Sequence, residues 1–165
     1  MGKCHPIMDN ITTAREVLKM RPALKMLCGD YLTFKTKSKQ VPGTSSHCRT
    51  CKHPVENLVH ILCVCESYSV PRQRILDQLA LLLGEQIQGN SSSKALDSDS
   101  LKNLLSDSRL LCQLVLDCTS LNLPNIYRFS TSDPKTPEIF RLSRDLCFTV
   151  HTTRMKMLRE MKKQS

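Results

Sequence analysis

The sequence has no tryptophan, and aromatic residues make up only 4% of its 165 positions, which argues against recognition of bases by extensive aromatic stacking. It has no apolar run approaching the length of a membrane span, so no membrane partner is expected. No apolar segment of signal-peptide type follows Met1, and its nine cysteines are an odd number. These features predict a reducing intracellular compartment, cytoplasmic or nuclear, and a fold that disulfides do not hold. The opening MGKCHP starts like a myristoylation signal, but Pro6 stands where Ser or Thr is required. Nowhere do two aspartates stand side by side, as the two-metal site of many polymerases demands. Ser and Cys are plentiful, yet no pattern ties one of them to a His and an Asp as an activated nucleophile. There is no internal repeat. The chain is expected not to be an enzyme.

What is present is positive charge. Lys and Arg number 24 against 15 Asp and Glu, a net charge of +9, which favours polyanionic partners. Also present is the stretch CRTCKHPVENLVHILCVC, in which Cys48, Cys51, His60 and Cys65 follow the spacing C-x2-C-x8-H-x4-C. Two cysteines three apart can turn both sulfurs toward one cation. A His and a Cys on a following helical turn can close a tetrahedron, the arrangement that suits Zn2+. Three thiolates and an imidazole leave no open coordination position, so such a site is structural. A lone C-x-x-C would read equally well as free cysteines in a core; four ligands at compatible spacings read as a zinc site. Cys63 stands two residues from Cys65 and is an alternative to it, and His47 and His53 flank the first pair. A helix starting near Val55 would aim His60 and Cys63 too tightly along one face, which favours Cys65.

Around this motif the pattern predicts a mainly α fold, a small helical domain built on the zinc site and followed by a long amphipathic C-terminal helix. From Asp9 onward Ile11, Ala14, Val17 and Leu18 share a helical face, with Thr13 and Glu16 as a capping box. Pro22 is expected to kink or restart that helix, and Gly29 to stop it. A polar loop is expected over 35–46, carrying Lys35, Lys37 and Lys39 as candidate phosphate contacts. Residues 68–88 read as a helix with an apolar stripe and Pro71 in its first turn. The segment 89–100, GNSSSKALDSDS, reads as a linker between a zinc-binding region, 1–88, and a helical C-terminal region, 101–165. Beyond it lie one long or two short helices, with Asp107 able to cap the second, and then a loop over 121–136. Thr136 and Pro137 signal the last helix. Ile139, Leu142, Leu146, Val150, Met157 and Met161 fall on its apolar side. Arg141, Arg144, His151, Lys156, Arg159, Lys162 and Lys163 fall on a basic outer side, of which Arg141, Arg144, Lys156 and Arg159 are candidate nucleic-acid contacts.

The runs LKMLCGDYLT, CRTC, ENLVHILCVC and ESYSVPRQRIL together resemble the zinc-binding domain downstream of the polymerase in reverse transcriptases of non-LTR retrotransposons. Glu56 occupies that family's acidic position, His60, Ile61 and Leu62 its His-Leu-Leu position, and Arg72 and Arg74 its arginines. The resemblance implies Cys48, Cys51, His60 and Cys65 as ligands and RNA template or target DNA as partner. It also implies association with a retroelement polymerase. The chain departs from the pattern in Glu66, where a Pro is usual, and in Asp30 after Gly29, where many members have His. Some of these elements carry a restriction-like nuclease after the zinc motif, but here Asp133, Pro134 and Lys135 stand in the wrong order for one. The expected function is therefore a zinc-stabilised, nucleic-acid-associated module. A structural docking domain, or a retroelement fragment without function, is the second reading.

Overall fold

A computed structural model describes residues 5–9, 11–84, 98–123, 127–129 and 131–164. The molecule is mainly helical, and its axis is the C-terminal helix. Thr136–Lys163 forms one 28-residue helix, α6, about 42 Å long at 1.5 Å per residue. The Thr and Val residues at 149, 150, 152 and 153 do not interrupt it; the Thr152 hydroxyl bonds back to the Phe148 and Thr149 carbonyls. Around α6 pack α1 (Ala14–Leu27), α3 (Ser69–Gly84) and α5 (Ser108–Asp117), with α4 (Ser98–Ser106) leaning on α3 and α5.

Local chemistry sets most of the boundaries. Thr13 caps α1 by accepting from the Glu16 amide at 3.2 Å, and Gly29, at φ +77°, ends it. Pro22 neither kinks the chain enough to divide it nor restarts it. The helix runs unbroken through Pro22, whose ring is buried beside Ala23 and Met26, so core packing offsets the missing amide hydrogen bond. Asp107 caps α5 through the amides of Arg109 and Leu110. Residues 85–88 of the expected third helix and 89–97 of the expected linker lie outside the described residues, whereas Ser98–Ser100 belong to α4. Within the expected 121–136 loop, Asn122–Leu123 (β1) and Tyr127–Arg128 (β2) pair antiparallel, Asn122 opposite Arg128.

The expected loop over 35–46 begins instead as a helix, α2 (Phe34–Gln40). Thr33 caps it, accepting from the Thr36 amide at 3.1 Å, and Phe34 is its one buried residue. Lys35, Lys37 and Lys39 are therefore carried on a helical turn.

Residues on both sides of the expected linker share one core. Ile61, Leu62, Tyr68 and Leu79 join Leu104, Leu114, Ile139, Phe140, Leu146 and Val150 in a single buried cluster. Because neighbours surround the first half of α6, that half is buried almost all round, and the basic outer face expected there is not outward. Arg144 is 2% exposed. Its Nη1 donates to the carbonyls of Ile7 at 2.8 Å and Asp9 at 3.2 Å, and its Nε stands 3.8 Å from Glu16. Its long stem packs while its head satisfies backbone acceptors of the amino-terminal segment. Met161, expected on the apolar side, is 39% exposed.

Reversing Arg144 to Glu should therefore cost about 3–5 kcal/mol, the scale of an uncompensated buried charge. Lys156→Glu, on the exposed side of the same helix, should change stability by no more than about 0.5 kcal/mol. Urea denaturation of the two variants checks this; equal midpoints would contradict the burial of Arg144.

Candidate metal centre and basic surface

Cys48 to Lys52 form a tight turn in which the Lys52 amide donates to the Cys48 carbonyl at 2.8 Å and the Cys48 amide to the His53 carbonyl at 2.9 Å. Closing it puts Lys52 at φ +62°, the left-handed region that a residue with a Cβ rarely enters. This turn aims both cysteine sulfurs to one side. Asn57 then starts a helical turn by accepting from the His60 amide at 2.8 Å, and over His60–Val64 the turn widens to π geometry, closed by the Cys65 amide on the His60 carbonyl at 2.7 Å. In an α-helix, residues five apart point about 140° away from each other. The wider turn brings His60 and Cys65 back to one side.

The result is a cluster of Cys48, Cys51, His60 and Cys65 whose ligand atoms all lie within 4.8 Å of one another. Cys48 Sγ and Cys65 Sγ are 3.9 Å apart, and Cys51 Sγ is 3.3 Å from His60 Nε2. Sulfurs at 2.3 Å from a tetrahedral ion would be about 3.8 Å apart, so these are edges of a tetrahedron that can hold a metal ion. Three of the four ligands are buried.

The surroundings suit such a centre. Thr50 Oγ1 lies 3.1 Å from Cys48 Sγ and 3.7 Å from Cys65 Sγ, and Tyr68 Oη is 3.2 Å from that hydroxyl. The buried Arg72 donates to the Cys65 carbonyl at 3.1 Å. The Cys48 thiol leans on the Cys65 sulfur. That contact brings the Cys65 pKa down to about 7 and, with burial, pushes Cys48 up to about 12. The His60 ring stacks on His53 with centroids 4.4 Å apart.

The alternative ligands lie elsewhere. Cys63 faces Cys112, whose thiol, with burial, pushes the Cys63 pKa up. His47 is exposed and bonded to Ser45, while His53 holds the Val55 backbone through Nδ1. Glu56, between the two halves of the ligand set, is fully buried. Its carboxylate accepts from the Phe34 amide at 2.9 Å and from Arg154 Nη2 at 2.7 Å. Burial works against the Arg154 charge, but Glu56 outweighs it and holds the guanidinium above its ordinary value. Arg154 escaped the sequence reading because its neighbours at 153 and 155 give no sign that a cation turns inward.

The candidate nucleic-acid residues divide into two groups. Arg144 is buried, and Arg141 is engaged by Glu138 at 2.5 Å and Asp145 at 3.1 Å. Lys35, Lys39, Lys156 and Arg159 are exposed and Lys37 partly so. Lys37 and Arg159 meet across a groove of about 730 Å³ between α2 and the last turns of α6. Lys162, expected on the basic side of the last helix, joins them there, as do Lys25 and Arg49, which the sequence did not single out. Among the described residues no helix is long and apolar enough to cross a membrane.

Cys65→Ser should abolish stoichiometric metal binding, and Cys63→Ser should leave it intact; metal titration of the two proteins measures this directly. Lys52→Gly should stabilise the metal-loaded chain by up to about 1 kcal/mol. The left-handed conformation costs a residue with a Cβ about 1–2 kcal/mol, and glycine's extra chain entropy returns part of that. A fall in the unfolding midpoint would contradict the turn geometry. No family model matches the chain, and no curated protein or solved structure does.

Proposed function

We propose that the chain is a zinc-stabilised, non-catalytic helical module that associates with RNA or DNA, related to the zinc-binding domain that follows the polymerase in non-LTR retrotransposon reverse transcriptases. Zinc is favoured over other ions by the donor set. Three thiolates and an imidazole at tetrahedral separations suit a soft-tolerant ion with no geometric preference of its own, and they leave no position for water or substrate. A retroelement polymerase is the protein partner that the resemblance supports.

The observation that carries the nucleic-acid part is the convergence of Lys25, Lys37, Arg49, Arg159 and Lys162 on one groove whose lining contains a single acid, Asp30. Among the described residues none of these five cations is in a salt bridge. Unpaired cations focused in a concave surface attract polyanions and bind them through phosphates with little regard to sequence.

The purified chain should carry one zinc per monomer and lose its cooperative unfolding when stripped by a chelator. Structural zinc contributes about 10–16 kcal/mol in small modules, at or above the net stability of a whole domain. Sub-stoichiometric zinc in the folded chain would end this reading of the site. Affinity for nucleic acid should fall linearly with salt on logarithmic axes. Lys37→Glu with Arg159→Glu should flatten the slope by about one to two units while leaving zinc content unchanged. If parent and double variant bind alike, or neither binds below about 100 micromolar, the upper range for nonspecific binders, the nucleic-acid reading fails.

A further inference from the structure

The groove between α2 and the end of α6 has a second property that duplex binding does not use. Part of its lining is apolar. Leu32 is 51% exposed and Met161 39% exposed, and Met155 and Leu158 line the same space. Met155, Leu158 and Met161 stand three apart on α6, so they form one aliphatic stripe at the level of the cations. Phosphates on a duplex face the cations but bring no apolar surface to cover that stripe, because the bases are stacked inside. A single strand brings both: a charged backbone for the cations and unpaired base faces for the stripe.

Resting on the nucleic-acid reading, we propose that this groove is a single-strand site. Phosphates lie against Lys37, Arg49, Arg159 and Lys162, and unstacked bases lie on Leu32, Met155, Leu158 and Met161. The two aromatic rings at the groove are not the base platform. Phe34 has the Arg49 guanidinium 4.8 Å and the Arg154 guanidinium 5.6 Å from its ring centre, and Tyr31, 5% exposed, packs edge-on against His151 and lies 5.6 Å from Arg154. Contact is thus with aliphatic side chains, which accept any base and predict weak sequence preference. An acidic protein segment would satisfy the charges too. Five cations without ion-pair partners among the described residues, on so small a groove, match a backbone with a phosphate at every unit more closely than a peptide that must also supply apolar side chains.

His151 lies in the groove wall and reports occupancy. Its Nδ1 is 3.0 Å from Tyr31 Oη. Burial, and then the charges of Arg154, Lys25 and Arg159, hold its pKa below the ordinary value. A phosphate entering among those cations should raise it.

The experiment uses the full chain with its metal bound and oligonucleotides of about 12 units, within the site sizes covered by such grooves. Affinity is measured by fluorescence anisotropy for a single strand and for the matching duplex, and His151 is titrated by NMR with and without ligand. The single strand should bind about tenfold or more tighter than the duplex. Leu32→Ser with Met161→Ser, both at exposed positions, should remove most of that preference and leave duplex affinity within about twofold. The His151 pKa should rise with the single strand bound. Equal affinity for strand and duplex, or an unmoved His151, would overturn the single-strand groove while leaving nucleic-acid association standing. Absence of binding to either would overturn both. Poly-glutamate that binds and shifts His151 where oligonucleotides do not would overturn both in favour of a protein partner.

Discussion

The contact between Glu56 and Arg154 is the one that the arrangement of the rest depends on. Glu56 is fully buried and Arg154 is 6% exposed, so each charge is tolerable only with the other present. Glu56 lies between Cys51 and His60 in the sequence, and the same residue ties the ligand loop to its neighbours by main-chain bonds. The Glu56 amide donates to the Ser46 carbonyl at 2.8 Å, and its carbonyl accepts from Lys35 at 3.0 Å. One acidic residue, through its side chain and its main chain, therefore fixes the ligand loop, the start of α2 and α6 relative to one another. Such a pair adds little net stability compared with an apolar substitute, but losing one partner strands the other, so it enforces this arrangement over alternatives.

Charge is partitioned between interior and surface in a consistent way. With a divalent ion bound, three thiolates would carry one net negative charge, and the nearest compensation is local: Arg72 beneath Cys65, and the Thr50 hydroxyl touching two sulfurs. Arg154 is neutralised by Glu56, and Arg144 lies among backbone carbonyls beside Glu16. The interior cations are thereby committed. Of the cations left to shape the outer field, Lys25 of α1, Lys37 of α2, Arg49 of the ligand turn, and Arg159 and Lys162 at the end of α6 gather at one groove.

The parts of this arrangement that were legible in the sequence are those in which residue type alone restricts the chemistry. Four ligand-type side chains at a narrow spacing mark a cluster that can hold a metal ion whatever helix they sit on, and the Thr13 and Asp107 caps and the Gly29 stop follow from one or two side chains each. The long period of α6 was equally plain, but its orientation was not. An Arg has an apolar stem and a charged head, so a helical wheel places Arg144 with Lys156 although the structure buries one and exposes the other. The same ambiguity hid Arg154. Helix α2 was invisible for a different reason: seven residues with one buried side chain have no apolar period, and the carboxylate that anchors them lies 22 residues away. The π turn at His60–Val64 also leaves no local signature, since nothing between His60 and Cys65 dictates an extra residue per turn.

That turn makes the chain sensitive to length at one place. With a residue removed between His60 and Cys65, the segment could close as an ordinary α-helix with the two side chains about 40° apart, so the sulfur would stay on the side of the imidazole; with one added, the widened turn would have to open further than a single hydrogen bond spans. The surface stretch 41–46, four of whose six residues are Pro, Gly or Ser, carries no ligand and is free of that restriction. Insertions are therefore tolerated ahead of Cys48 and not between His60 and Cys65, so in this architecture the step from the histidine to the last cysteine is an upper limit that the π turn just closes.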